Sequence, residues 1–193
     1  MGQYYMPVIM QDGVVNYTNR KVEGVDYIMA KLTEHSYFNN FLIDSVADKI
    51  HNHKAKIAWV GDYANEPGDL DCTTADVDYE KCWGDKCLDR NEVHQALKLC
   101  KRFAYRNRYL VNHDKGVYIS FNDYRKNAKG KKWVMSPISL LTAIGNQRGG
   151  GDYYGLNEDK VGSWAWDEIS IEDKKPYGYT QLNIFFKPNW DEE

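Results

Sequence analysis

Three consecutive glycines, Gly149 to Gly151, stand beside Arg148 in the stretch Gly145-Asn146-Gln147-Arg148-Gly149-Gly150-Gly151-Asp152-Tyr153-Tyr154-Gly155. Such a run asks for a backbone that takes positive φ or passes very close to another group, so the chain around it must support a tight loop, not a continuous helix or strand. Two readings arise from the same residues. In one, the N–H groups of Gly149, Gly150 and Gly151 form a concave nest for an anion. Arg148 then adds charge, Asp152 marks the exit, and Tyr153 or Tyr154 offers a stacking face. In the other, the glycines only let a long connection turn over a sheet. The loop matches neither G-x-x-x-x-G-K-[ST] nor G-x-G-x-x-G after a strand, so no phosphate fingerprint chooses between them.

Periodicity outlines the frame that holds the loop. Residues 3 to 10 are β-prone, and Asp12-Gly13 is a two-residue hairpin signal before Val14-Val15-Asn16-Tyr17. Pro7 places the first strand at a sheet edge or at an irregular start. Val25, Ile28, Met29 and Leu32 repeat at helical spacing, as do Phe38, Phe41, Leu42, Val46 and Ile50, with Ser36 as the expected N-cap. Residues 56 to 64 read as a strand ending at Gly61-Asp62-Tyr63, which makes Asp62 a candidate site residue. Asp89-Arg90-Asn91-Glu92 has the capping-box form and opens a third helical pattern. Strands are expected at about 108 to 113 and 117 to 124, joined by His113-Asp114-Lys115-Gly116. Residues 138 to 144 form an apolar run of undetermined type. Further strands are expected at 164 to 171 and 179 to 186, with Lys174-Lys175-Pro176-Tyr177-Gly178 as their hairpin connection. With 193 residues and no dividing linker, the expectation is one α+β domain over residues 1–193, with a mainly antiparallel sheet of six to eight strands and about three helices.

Charge is unevenly distributed. Residues 62 to 92 carry ten carboxylates against Lys81, Lys86 and Arg90, and read as an acidic excursion off the sheet. Asp69, Asp71, Asp76 and Asp78 there are candidate partner-binding residues that imitate a nucleic-acid backbone. Residues 98 to 132 carry eleven lysines and arginines against Asp114 and Asp123. Tyr105, Tyr109, Tyr118, Tyr124 and Trp133 lie among or beside them, a pattern that suits nucleic-acid binding as well as it suits a solvated helix face and strand.

Catalytic motifs are sparse. There is no G-x-S-x-G elbow and no H-E-x-x-H, and His51-Asn52-His53 reads as decoration of a helix end. Asp62, Asp152 and Asp167 would hold Mg²⁺ beside a phosphate if their loops converged. Cys72, Cys82, Cys87 and Cys100 read as free thiols, and no cofactor is expected. The alternative is zinc held through Cys82 and Cys87, whose C-x4-C spacing lies near His94. No stretch approaches the ~20 apolar residues of a membrane span, and the start lacks an export pattern, so the expected location is the cytoplasm of a host cell.

Four blocks taken together carry a resemblance: the Met1-Gly2-Gln3-Tyr4-Tyr5 start, Trp59-Val60-Gly61-Asp62-Tyr63-Ala64, Gly145 to Tyr153, and Gly162-Ser163-Trp164-Ala165-Trp166-Asp167. They resemble an uncharacterised family of proteins from Gram-positive bacteria and their phages, and the matching blocks span nearly the whole chain. The family pattern favours glycine where Gln147 and Trp166 stand. The resemblance implies a setting and no catalytic residues. In that setting the expected function is a phage or mobile-element binding protein that inhibits a host defence component, either anti-CRISPR-like or binding a nucleotide signal. Arg148, Gly149, Gly150, Gly151, Asp152, Tyr153, Asp62 and Trp164 are the ligand-binding candidates. Two alternatives stay open: a small enzyme acting on a nucleotide or phosphoester, and nucleic-acid binding through residues 98–132.

Overall fold

A computed structural model of the chain describes residues 3–12, 14–17, 21–22, 31–61, 87–88, 102–128, 130–131, 133–145, 150 and 152–189. Strand β4 (Ala55–Gly61), with the sequence AKIAWVG, is buried at every residue except Lys56. A strand apolar on both faces belongs in the interior of a sheet, and β4 is paired along both edges. One edge is taken by β1 (Tyr5–Gln11), antiparallel from Tyr5↔Gly61 to Met10↔Lys56. The other edge is shared. Strand β10 (Glu168–Glu172) pairs antiparallel with Ala55 and Lys56, while β8 (Ala143–Ile144) runs parallel beside Trp59 and Val60. At the changeover, the Trp166 N–H donates to the Ile57 carbonyl at 2.8 Å and the Trp59 N–H to the Thr142 carbonyl at 2.7 Å.

Strand β2 (Val14–Tyr17) extends one side of this sheet, and β6 (Tyr109–Asn112), β7 (Val117–Ser120) and β11 (Thr180–Gln181) extend the other. The order is β11-β7-β6-β10-β4-β1-β2, with β8 beside β4. Among the described residues the sheet is mixed: β11·β7 and β4·β8 are parallel and its other pairs antiparallel. Two small ladders lie apart from it, β3 (Lys21–Val22) with β5 (Cys87–Leu88) and β9 (Gly155–Leu156) with β12 (Lys187–Pro188). The described residues include four helices: α1 (Leu32–His35), α2 (Phe41–Lys49), α3 (Phe121–Lys126) and α4 (Pro137–Leu141). The fold is α+β, and no helix among the described residues is long and apolar enough to cross a membrane.

One face of the sheet, through Tyr5, Ile9, Ile57, Trp59, Leu110 and Ile169, packs with Leu42, Ile43, Val46 and Ile50 from α2 and its end and with Leu140 and Leu141 of α4. Each such aliphatic side chain contributes on the order of 2 kcal/mol when fully buried. Beside them Phe38 meets Tyr105 edge-on at 4.6 Å, and the Tyr105 hydroxyl donates to buried Asp44 at 2.7 Å. Burial raises the Asp44 pKa above the usual carboxylate value.

Several sequence expectations are corrected here. Pro7 is not on an edge strand, because β1 lies between β2 and β4. It is tolerated because Trp59, its partner, directs its N–H toward Thr142 on the far side of β4, which makes Pro7↔Trp59 a pair without mutual hydrogen bonds. The missing N–H of Pro7 therefore faces the β2 side, where the described ladder reaches no further than Val8↔Tyr17. Ser36 does not cap α2. Asn40 does, accepting the Leu42 N–H at 2.9 Å, while the Ser36 carbonyl accepts the Ser136 N–H at 2.6 Å. The strand expected to reach residue 124 stops at Ser120, whose hydroxyl caps α3. Residues 174–178 are not a hairpin connection, since β10 lies between β6 and β4 and β11 pairs in parallel with β7. The helical patterns over 25–29 and after Asp89, and the acidic excursion over 62–86, lie outside the described residues.

Candidate functional site

The parallel pairing of β4 with β8 gives the glycine loop its position. With Val60 opposite Ile144, the chain leaves both strands side by side, at Gly61 and Gly145. Antiparallel β1 enters at the same end, with Tyr5 opposite Gly61. Three contacts then tie the far end of the loop to this place. The Gln3 N–H donates to the Gly150 carbonyl at 2.7 Å. The Tyr5 hydroxyl donates to the Asp152 carboxylate, and the Thr33 hydroxyl donates to the Asp152 carbonyl. The loop is thus anchored at both stems on one sheet end.

Gln3 itself is fully buried. Its amide nitrogen lies where a Cβ at Gly61 would fall, and the Ile144 carbonyl oxygen stands 3.1 Å from the same point, so the glycine leaves both in place. Among the described residues, neither polar atom of the Gln3 carboxamide has a hydrogen-bond partner. A buried carboxamide in that state costs free energy, and it lies at the base of the loop.

The candidate residues divide sharply by environment. Asp152 is only 2% exposed, so its carboxylate anchors the loop instead of facing solvent. Tyr153 is fully buried; its hydroxyl lies 2.8 and 2.9 Å from the carbonyls of Leu156 and Lys187 and accepts the Lys187 N–H at 2.9 Å. Burial pushes this phenol well above its ordinary pKa. Of the two tyrosines, Tyr154 is the exposed one. Trp164 is buried too, with its N–H on the Leu141 carbonyl at 2.7 Å. Gly150 is exposed at the loop exit. Asp62, Arg148, Gly149 and Gly151 lie outside the described residues, as do Asp69, Asp71, Asp76 and Asp78.

Asp167 does not join this end of the sheet. Its carboxylate accepts from Asn112 at 2.7 Å and pairs with Lys115, directly before β10. Glu168, the next residue, is opposite Lys56, five residues along β4 from Gly61. That separation is about 17 Å at the rise of a strand. In the basic segment, Tyr105, Tyr118 and Tyr124 are buried, whereas Trp133 is 62% exposed with Tyr37 edge-on at 5.8 Å. Arg108 pairs with Asp173 and Lys126 with Asp123.

Among the described residues no group of three or more His, Cys, Asp or Glu side chains could hold a metal. Cys82 lies outside those residues, and of Cys87 only its place in β5 is described. Sequence reasoning missed the parts played by Gln3, Tyr5 and Thr33, because burial of polar residues near a terminus leaves no periodic trace. It also missed a network in which the Ser170 hydroxyl donates to Glu172 at 2.6 Å and lies 2.8 Å from His113 Nε2. No family model, curated protein or solved structure matches this chain.

Proposed function

We propose that the protein is a binding protein of a phage or other mobile element that inhibits a host defence component, with the glycine-loop end of the sheet as its ligand or partner surface. The observation that carries the reading is the double anchoring of the loop, by Gln3 on Gly150 and by Tyr5 and Thr33 on Asp152. With the β4–β8 pairing fixing the entry at Gly145 and these contacts fixing the exit, both stems are held at one end of the sheet, which lowers the entropic cost of binding there. Binding is favoured over turnover because Asp152 and Asp167, two of the three carboxylates an enzymatic site would use, are each engaged in structural contacts and lie at opposite ends of β4. The phage-like blocks supply the setting, and the acidic run around Asp69, Asp71, Asp76 and Asp78 supplies a charge pattern suited to a basic effector groove.

The test is phage plating on strains with and without defined defence systems, with the chain expressed from a plasmid. Plaque counts should rise at least about tenfold only where a system is present. Reversing the four aspartates should cancel the rise if the acidic segment mimics nucleic acid, and Arg148→Ala should cancel it if a nucleotide is captured. No rise on any defended strain would reject the proposal.

A further inference from the structure

A second recess lies across the sheet from the glycine loop. Strand β7 is four strand positions from β1, about 19 Å at ordinary strand spacing. There β11 runs parallel to β7 only from Thr180 to Gln181, and the Leu182 N–H still reaches the Tyr118 carbonyl at 2.8 Å. Past that point β7 turns into α3 at Ser120, while residues 182–184 form no helix or strand and line the space beside it. The divergence opens a cleft of about 250 Å³.

Its apolar lining comes from Ile119, Tyr124, Leu182 and Ile184, and its polar lining includes Asp123, Lys126, Asn127 and Asn183. The carboxylate is oriented before any ligand arrives. Tyr118 donates to Gln181 at 3.0 Å, Gln181 donates to one Asp123 oxygen at 3.0 Å, and Lys126 donates to the other at 2.7 Å. The Lys126 bond, with those of Gln181 and Ser120, holds the Asp123 pKa down to about 2, so the group is charged near neutral pH. Lys126 and Gln181 take different oxygens of the carboxylate, and a carboxylate has about four lone-pair sites in all, so it retains capacity to accept from a ligand. The Asn127 and Asn183 side chains stand exposed at the rim of the cleft.

The charges restrict what fits. A phosphate would meet the Asp123 carboxylate, and a cation would meet the Lys126 ammonium already placed on it. A neutral ligand avoids both. Hydroxyl groups donate to a carboxylate and accept from a carboxamide or ammonium at once, so a pair of adjacent hydroxyls matches this rim over an apolar floor. We propose that the cleft between α3 and residues 181–184 binds a neutral polyhydroxylated ligand through a vicinal diol, such as that of a nucleoside ribose or a monosaccharide, with Asp123, Asn127 and Asn183 as the polar contacts. This site is independent of the glycine loop.

The experiment is a titration of the ¹⁵N-labelled full chain with uridine, 2′-deoxyuridine, D-mannose and inorganic phosphate, followed through the side-chain amide signals of Asn127 and Asn183. Saturable shifts are expected with uridine, D-mannose or both. Uridine alone identifies a nucleoside and D-mannose alone a saccharide. Asp123→Asn and Asn183→Ala should each weaken binding by about tenfold, and a thermal unfolding trace tells a lost contact from a lost fold. If Asp123→Asn does not fold, Asn183→Ala decides. The proposal falls if neither diol ligand saturates, if 2′-deoxyuridine binds as tightly as uridine, if only phosphate shifts the signals, or if the folded variants bind as the parent does.

Discussion

The Trp166 N–H donates to the Ile57 carbonyl at 2.8 Å from a left-handed backbone, with φ of 63° at Trp166. The bond falls where the edge of β4 passes from β10 to β8, so it satisfies a carbonyl that neither strand reaches. A bulky residue in this region of φ is uncommon and costs roughly 1–2 kcal/mol.

Trp166→Gly should therefore change stability little, by less than about 1 kcal/mol, because relief of the backbone is offset by lost indole packing and a more flexible unfolded chain. Trp166→Val keeps the constraint and adds branching at Cβ, so it should lose about 2–3 kcal/mol. Urea unfolding of both variants checks this. Equal stability would show that the left-handed backbone is not the constraint.

Tyr5→Phe removes the hydroxyl donated to Asp152, leaving a buried carboxylate with one partner fewer. The expected loss is about 1.5–3 kcal/mol, the range for a hydrogen bond to a charged group. In an Asp152→Asn background the same change should cost less. The double-mutant cycle measures the coupling, and additive losses would mean that the two groups do not act as a pair. Backbone amides at the loop stems should exchange faster in Tyr5→Phe.

Gly162 has φ of 78°, and a Cβ there would lie 2.5 Å from the Ala143 carbonyl oxygen. Its N–H donates to the Leu140 carbonyl at 2.8 Å, so the segment cannot simply move away. Gly162→Ala is expected to cost about 2–4 kcal/mol, combining backbone strain with a steric conflict against β8. Gly178, also at positive φ but with open space around its missing Cβ, serves as the control and should lose only about 1 kcal/mol on the same change. Comparable thermal midpoints for the two variants would refute the role given to Ala143.

His113 provides the pH dependence. Because Ser170 gives its proton to Glu172, His113 must donate to Ser170 through Nε2–H. Burial first, and then the Lys54 charge, lowers its pKa from the ordinary value of 6.5. With the folded pKa below the unfolded one, the unfolded chain binds more protons between the two, so stability falls as pH drops through and below about 6.5. Unfolding midpoints should be lower at pH 5.5 than at pH 7.5, and His113→Gln should narrow the gap. An NMR titration of His113 centred at or above 6.5 would overturn this assignment.

Much of the frame was legible in local pattern. Asp12 turns the β1–β2 hairpin with φ of 52°, as the Asp-Gly signal required. The spacing of Leu42, Val46 and Ile50 marked α2, and the apolar run through Ile57 and Val60 up to the Gly61-Asp62 turn marked β4. What escaped was partner choice. Nothing between residues 174 and 178 distinguishes a hairpin from a crossing to β7, and nothing around Ser36 shows that its carbonyl is taken by Ser136 while Asn40 caps the helix.

The sequence by itself determined the turn at Asp12, the helical spacing of α2 and the strand β4, because steric limits on φ and the periods of helix and strand act between near neighbours. Only the tertiary structure decided that Gly61 and Gly145 leave the sheet side by side, that Asp152 is an anchor for Tyr5, and that Asp167 stands at the other end of β4. Those facts depend on which strands close on each other across more than a hundred residues. Loop-closure entropy grows slowly with separation, so burial of specific pairs, not local pattern, makes that choice.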